Sequence, residues 1–256
     1  MSIQAVKRDG ATKEEQWQAR EDLAAALQLA VQNGLNEGID NHFTMMVPGH
    51  DDRFFLSPYG LHWDEVRPET LMVVDSEGNR LEGKGFVDPS AHLIHWPVHR
   101  ARPDARCVMH THMPYASALT ALENGRLVMT HQNSLRFYNK VAYDDLYNGL
   151  VFDEAEGDRM ARALGPEACV LFLAHHGVIV VGRTVGECFH RLYFLERACM
   201  VQFIAMSSGR PLRLVSDKDA EKAVQEFDSW DAHAAESHFA ALRRRLEAIR
   251  PRPAAN

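Results

Sequence analysis

The residues of this chain best suited to chemistry are its histidines, 14 among 256 residues, and they cluster. In MHTH, residues 109–112, His110 and His112 stand two apart. On an extended strand such residues share a face, so both imidazoles can reach one ion. Two imidazoles make a weak site, and a tight one needs a third donor from elsewhere in the chain. The pair His175-His176, after the apolar run ACVLFLA and before Gly177, offers it. The glycine lets the backbone turn sharply and bring a ring close. Three neutral imidazoles leave a divalent ion its full charge and an open position, from which it can polarise a carbonyl or acidify a water. Zinc is the expected ion, with manganese or iron as alternatives. A second group lies in SAHLIHWPVH, residues 90–99. There His92, His95 and His99 fall at i, i+3 and i+7, along one face of a helix that Pro97 interrupts. They can line a pocket, relay protons or supply an extra ligand, and at least one of them is expected to be packed or exposed. His42, His62 and His131 are isolated, and each taken singly reads as structural.

These groups need elements to position them. Thr12 is expected to cap a helix through about Leu35, with Leu23, Leu27, Val31 and Leu35 as a buried stripe. Strand-like runs follow at 43–48, 53–58 and 70–75, the last entering an SEGN turn. Pro89 and Ser90 open a helix to about Arg100, and residues 107–110 form a short buried strand. A helix is expected over 113–122, further strands over 127–131 and 140–145, and an acidic-headed helix over 153–165. The run 168–182 reads as two buried strands about His175-His176, with Gly177 at the bend. Thr184 caps a long helix to about Ser208, with Val185, Phe189, Leu192, Leu195 and Cys199 apolar, and a last helix runs from about Asp217 to Arg250. Helices and strands are interspersed without a regular βα repeat. That order fits an α/β fold: a three-layer α/β/α sandwich whose central sheet is mixed and mainly antiparallel.

Composition narrows the class. The chain is 46% hydrophobic and 25% charged, ordinary globular usage, and long enough for a core that needs no disulfide staples. With 28 basic and 35 acidic residues the net charge is −7, a poor match to nucleic acid or an anionic membrane. Arg243, Arg244 and Arg245, with Arg250 and Arg252 beyond, read as a solvated helix and tail. Cys107, Cys169, Cys188 and Cys199 sit among apolar neighbours, with no C-x-x-C pair, as reduced core residues do. The start, MSIQAVKRDGATKEEQ, lacks the apolar run of a signal peptide, and no stretch reaches the roughly eighteen apolar residues of a membrane span. A cytoplasmic protein is expected. P-loop, G-x-G-x-x-G, G-x-S-x-G and H-E-x-x-H motifs are absent, which removes nucleotide and serine-hydrolase chemistry.

RPDARCVMHTHMPYASALTA followed by VLFLAHHGVIVVG resembles the class II aldolase/adducin family. LSPYGLHWDEV resembles its substrate-side loop, GIDNHFTMMVP its first strand, and TVGECFHRLYFLE the start of its long helix. The resemblance covers about residues 17–207, followed by a helical extension over about 216–250, within one domain spanning 1–256. It implies a metal held by His110, His112 and His176, the histidine immediately before glycine. It also implies substrate contacts from Asn41, Ser57, Tyr59, Gly60, His95 and His131, and a homo-oligomer, commonly a tetramer, with sites at subunit boundaries. Two departures stand out. Ala91 occupies the place of the glutamate that serves the aldolases as acid/base, and Gln132 the place of a tyrosine proton donor. In both respects the chain looks closer to adducin heads and bacterial adducin-like proteins, yet it keeps all three ligand histidines.

The expected function is therefore a divalent-metal-dependent carbon–carbon lyase, by aldol-type cleavage or decarboxylation, acting on a small carbonyl or hydroxy-acid substrate. Without the glutamate, His92 or His42 is expected to supply the proton. The alternatives are a non-catalytic adducin-like interaction module of the actin-binding type and iron-dependent oxygen chemistry at a three-histidine site.

Overall fold

Thr12 opens the first helix as its sequence suggests. Its hydroxyl accepts from the Glu15 N–H while the Glu15 carboxylate accepts from the Thr12 N–H, a closed capping box. The structure is a computed structural model and describes residues 10–249. The amino-terminal stretch read for a signal peptide, from Met1 to Asp9, and Arg250 and Arg252 lie outside the described residues. Helix α1 (Lys13–Gln32) buries Leu23 and Leu27, while Val31 is only partly covered.

A meander follows: β1 (His42–Met46), β2 (Arg53–Leu56), β3 (Met72–Asp75) and β4 (Arg80–Glu82). Then come α2 (Pro89–Ala101), β5 (Cys107–Thr111), α3 (Pro114–Thr120), the short α4 (Gln132–Leu135) and β6 (Val141–Asp144). The chain continues through α5 (Glu154–Leu164), β7 (Val170–Leu173), β8 (Gly177–Gly182), α6 (Val185–Met206) and α7 (Asp217–Ile249). The eight strands form one sheet in the order β4-β3-β2-β1-β5-β8-β7-β6. Every pairing is antiparallel except β6 with β7, so the sheet is mixed and mainly antiparallel, as the sequence implied.

Helices α1, α3 and α6 pack on one face, with α7 laid against α1 and α6, and α2 and α5 cover the other. Strands β7 and β8 are buried along their whole length, which is why they read as continuous apolar runs rather than alternating ones. Leu171 and Ile179 are fully covered, each stabilising the fold by about 1.5–3 kcal/mol. Pro97 does not break α2. Its missing N–H frees the Leu93 carbonyl, and Gly157 of α5 closes directly onto that oxygen, where any Cβ would collide. The four cysteines are free and buried.

Residues 127–131 are not the strand their apolar content suggested. Side chains satisfy this backbone instead: the Leu127 N–H donates to the Tyr143 hydroxyl, the Val128 N–H to Gln202 Oε1. Conversely, β4 is exposed at all three positions and offers no hydrophobic alternation to read. Among the described residues no helix is long and apolar enough to cross a membrane.

Candidate metal centre

β5 lies between β1 and β8, with His110 opposite His42 on one side and Ile179 on the other. One residue past the end of β5, His112 leaves the ladder, and the turn between β7 and β8 carries His176 toward it. The three rings converge: centroids lie 5.0 Å apart for His110 and His112, and 4.7 Å from each of these to His176. One nitrogen from each ring falls within 4.8 Å of the others. Glu196 of α6 fixes the exit from His112 by accepting from the Tyr115 and Ala116 N–H groups at 2.9 Å, capping α3.

The outer nitrogens set the tautomers. His110 Nδ1–H donates to the Val178 carbonyl at 3.0 Å, and His112 Nδ1–H to Glu37 Oε2 at 2.7 Å. Both Nε2 atoms then carry lone pairs, and they face each other at 3.2 Å. Two lone pairs repel at that distance, and a cation between them removes the conflict. Zinc–imidazole bonds of about 2.0–2.1 Å in a tetrahedron place nitrogens roughly 3.3–3.4 Å apart, so the donor set fits such an ion. Burial pushes His110 well below the usual histidine range. Burial, then the nearby His112, lowers His176 to about 4. Both rings are therefore neutral near pH 7, the form that ligates.

The turn itself differs from its expected form. The left-handed residue is His175, at φ +56°, not Gly177. His175 donates its N–H to the Thr120 carbonyl, and its ring packs against Tyr147, away from the triad. Gly177 matters for a different reason. A Cβ there would overlap the Thr111 carbonyl oxygen and sit 2.9 Å from His112 Cδ2.

Comparisons with known proteins agree with this geometry. The profile of the Class II Aldolase and Adducin N-terminal domain matches residues 21–203, well over half of the chain. The chain belongs to the class II aldolase/adducin family. A Caulobacter vibrioides protein placed in aldolase class 2 is 37% identical over 218 residues, 85% of this chain and 84% of its own length. Human beta-adducin is 35% identical over 174 residues, which is 66% of this chain but only 23% of that much longer protein. The crystal structure of an aldolase II superfamily protein from Pseudomonas syringae superposes with a TM-score of 0.86 at 31% identity, covering 93% of this chain and 95% of the other.

In this family member the triad opens onto a pocket of about 440 Å³, which Asn41, His42 and Tyr59 help to line. Asn41, at φ +75°, turns the chain into β1. Its Oδ1 accepts from the His112 N–H at 3.2 Å, which fixes the amide orientation, and its buried Nδ2 has no partner. Phe86, Leu150 and Phe152 supply an apolar rim, and Ile94 an apolar patch of the inner wall. Ser57, Gly60, His95 and His131 do not line the pocket. His95 lies behind His42, bonded to it, and His131 caps α4 by accepting from the Asn133 N–H.

His92 is a correction. Its Nε2 meets the Ser76 carbonyl at 3.0 Å and its ring stacks on Phe54, so it cannot serve as a proton donor beside the triad. The three histidines of α2 share the face turned to the sheet, His92 and His99 both stacking on Phe54, but His95 and His99 bond Thr44 of β1 whereas His92 bonds the β3–β4 turn. Ala91 likewise faces away, into an apolar cluster with Met46, Phe54 and Met72. The polar pocket residues of that turn are Asp88 and Ser90, on either side of Pro89. Sequence reasoning missed both, and Glu37 as well. Asp88 before Pro89 signals a helix cap, which it is, its carboxylate accepting from the Ser90 N–H. Nothing near Glu37 in the chain marks it as the partner of His112.

Proposed function

We propose that this chain is a divalent-metal-dependent carbon–carbon lyase acting on a small carbonyl or hydroxy-acid compound. The convergence of His110, His112 and His176 at the floor of a pocket that also holds a separate ionisable group, His42, carries this reading. The ion, zinc foremost with manganese or iron as alternatives, would stabilise negative charge growing on a substrate oxygen, a need that aldol-type cleavage and decarboxylation share. The chain supplies the rest. Asn41 Nδ2 offers a buried, unspent donor to a polar atom of the substrate. His42 exchanges a proton with it. The apolar rim accepts hydrocarbon or aromatic surface. Among the described residues lining the pocket there is no Lys or Arg, so a phosphate would find no cationic side chain.

Phe86, Leu150 and Phe152 are exposed around the mouth, which supports a homo-oligomer, tetrameric by family resemblance, with its sites near subunit boundaries. Light scattering of the purified chain is expected to give a mass of several subunits. A net charge of −7 supports a cytoplasmic enzyme of small molecules rather than a binder of nucleic acid or membrane.

The decisive experiment is elemental analysis of the protein purified without added metal, beside the His110→Ala/His112→Ala double variant. Near one ion per chain in the parent, little in the variant, and loss of turnover with it are the expected results. A parent that takes up no ion even from added zinc would sink the lyase reading and leave a non-catalytic, adducin-like head as the better account.

A further inference from the structure

Behind the pocket wall a line of side chains is hydrogen-bonded end to end. His42 and Thr44 project from one face of β1 toward His95 and His99, one turn apart on α2. His42 Nδ1 lies 2.7 Å from His95 Nε2. His95 Nδ1 lies 2.6 Å from Thr44 Oγ1, and Thr44 Oγ1 lies 2.8 Å from His99 Nε2. The line ends where His99 Nδ1 meets the Ala105 carbonyl at 2.6 Å. All four side chains are buried.

The carbonyl at the far end fixes every proton in the line. It can only accept, so His99 carries its proton on Nδ1 and a lone pair on Nε2. The Thr44 hydroxyl must then donate to His99 Nε2. Its single proton spent, Thr44 Oγ1 must accept from His95 Nδ1–H, which leaves a lone pair on His95 Nε2. That lone pair accepts from His42 Nδ1–H, and His42 Nε2 is left bare. The scheme requires neutral rings. Burial supplies that condition along the line, holding His99 at about 4 and His95 well below its usual range. At the pocket end, Ser90 Oγ stands 3.5 Å from His42 Nε2, but its proton goes to Asp88 Oδ1 at 2.7 Å. Among the described residues no donor closer than Ser90 Oγ reaches His42 Nε2.

We propose that Thr44, His95 and His99 are positioning residues that hold His42 in its Nδ1–H form, so that Nε2 faces the pocket as acceptor for a substrate hydroxyl. The hydroxyl oxygen can take the unspent proton donor of Asn41 while its own proton passes to His42 Nε2. This inference rests on the lyase reading and narrows it. Aldol-type cleavage of a β-hydroxy carbonyl compound begins by removing a hydroxyl proton, which becomes the proton held on His42 as the carbon–carbon bond breaks. It then returns from His42 to the carbon left electron-rich. Decarboxylation begins with no such transfer, and a bare Nε2 has nothing to donate to it.

The test is the 15N spectrum of the histidine rings in the full chain saturated with zinc, a diamagnetic ion, with His42 assigned by its loss in His42→Gln. The parent is expected to show His42 protonated at Nδ1 and bare at Nε2. Thr44→Val, which breaks the line but keeps the shape, should move the Nε2 resonance toward the protonated range, and Thr44→Ser should restore it. A parent with the proton on Nε2, or a Thr44→Val spectrum unchanged at His42, overturns the proposal. So does turnover confined to decarboxylation, with β-hydroxy carbonyl compounds left intact. Because the spectrum needs no turnover, a chain with the assigned tautomer but no activity would refute the lyase reading and spare the relay.

Discussion

Two histidine clusters meet where β1 lies beside β5, and they are built in opposite ways. In the line of His42, His95 and His99, every inward nitrogen has a partner, and only the last points into open space. In the triad the outer nitrogens of His110 and His112 are spent on Val178 and Glu37, and their inner ones face each other at 3.2 Å. The same side chain, equally buried in His95 and His110, becomes a proton-ordering element in one place and a ligand in the other. What decides is the partner of the second nitrogen. A hydroxyl or a ring can pass direction along, whereas a carbonyl or a carboxylate anchors a ring and aims its lone pair.

The most severe way to break this contrast is Gly177→Ala. The new methyl must displace the Thr111 carbonyl or the His112 ring, and the first is sheet backbone. Overpacking of this kind costs about 1–3 kcal/mol in stability. The larger effect should be on the ion, with zinc affinity falling by more than about a hundredfold as two ligands shift together. The relay, lying beyond His110, should keep its pattern of ring protons. Competition titration with a zinc indicator measures the first, the ring 15N spectrum the second. A variant that keeps parental affinity would show that the β7–β8 turn does not set the triad. A milder disturbance is Glu37→Gln, which keeps the shape but gives His112 Nδ1 a neutral partner. Zinc affinity is expected to drop about tenfold to a hundredfold, by the weight such outer partners carry. An unchanged affinity would mean that His112 needs no anchor.

The contrast also explains what could be read from the chain. Strand alternation puts His110 and His112 on one side by itself, and a buried apolar run ending in His-His-Gly marks the third ligand region. Those patterns are local, so they survive in one dimension. The relay is not local. Thr44 looks like any strand threonine, and its pairing with His95 and His99 across about fifty residues depends on how α2 docks on β1. Helical spacing groups His92 with His95 and His99, and the rings of His92 and His99 do stack on one residue, Phe54. Docking against the β3–β4 hairpin then claims His92 for Ser76. Position 91 misled in the same way: Ala91 lies in a second apolar cluster, and the polar residues that line the pocket at that turn are Asp88 and Ser90.

The gentlest probe of the difference is pH. Burial lowers His99 to about 4, helped by the charge of nearby Arg106 and opposed by its bond to Ala105, against 6.5 in an open chain. Between those values the unfolded chain binds a proton at this site more readily than the folded one does. Stability tied to His99 is therefore intact above pH 6.5 and lost as pH falls toward 4, at about 1.4 kcal/mol for each pH unit. Other buried histidines, His190 at about 3 among them, act in the same direction and steepen the total. The carboxylates lowered by ion pairs, such as Asp104 and Glu187, contribute only at lower pH. Glu196 and Asp22, which burial raises, act in the opposite sense, so urea unfolding between pH 6.5 and 5 is read as the difference between the parent and one histidine variant. His99→Phe, stacked on Phe54 as the imidazole is, should remove one proton's share of the slope, making the variant less acid-sensitive than its parent while less stable at pH 7. Equal slopes would mean that His99 takes up its proton in the folded chain, and a charged ring there could not order the line that ends at His42.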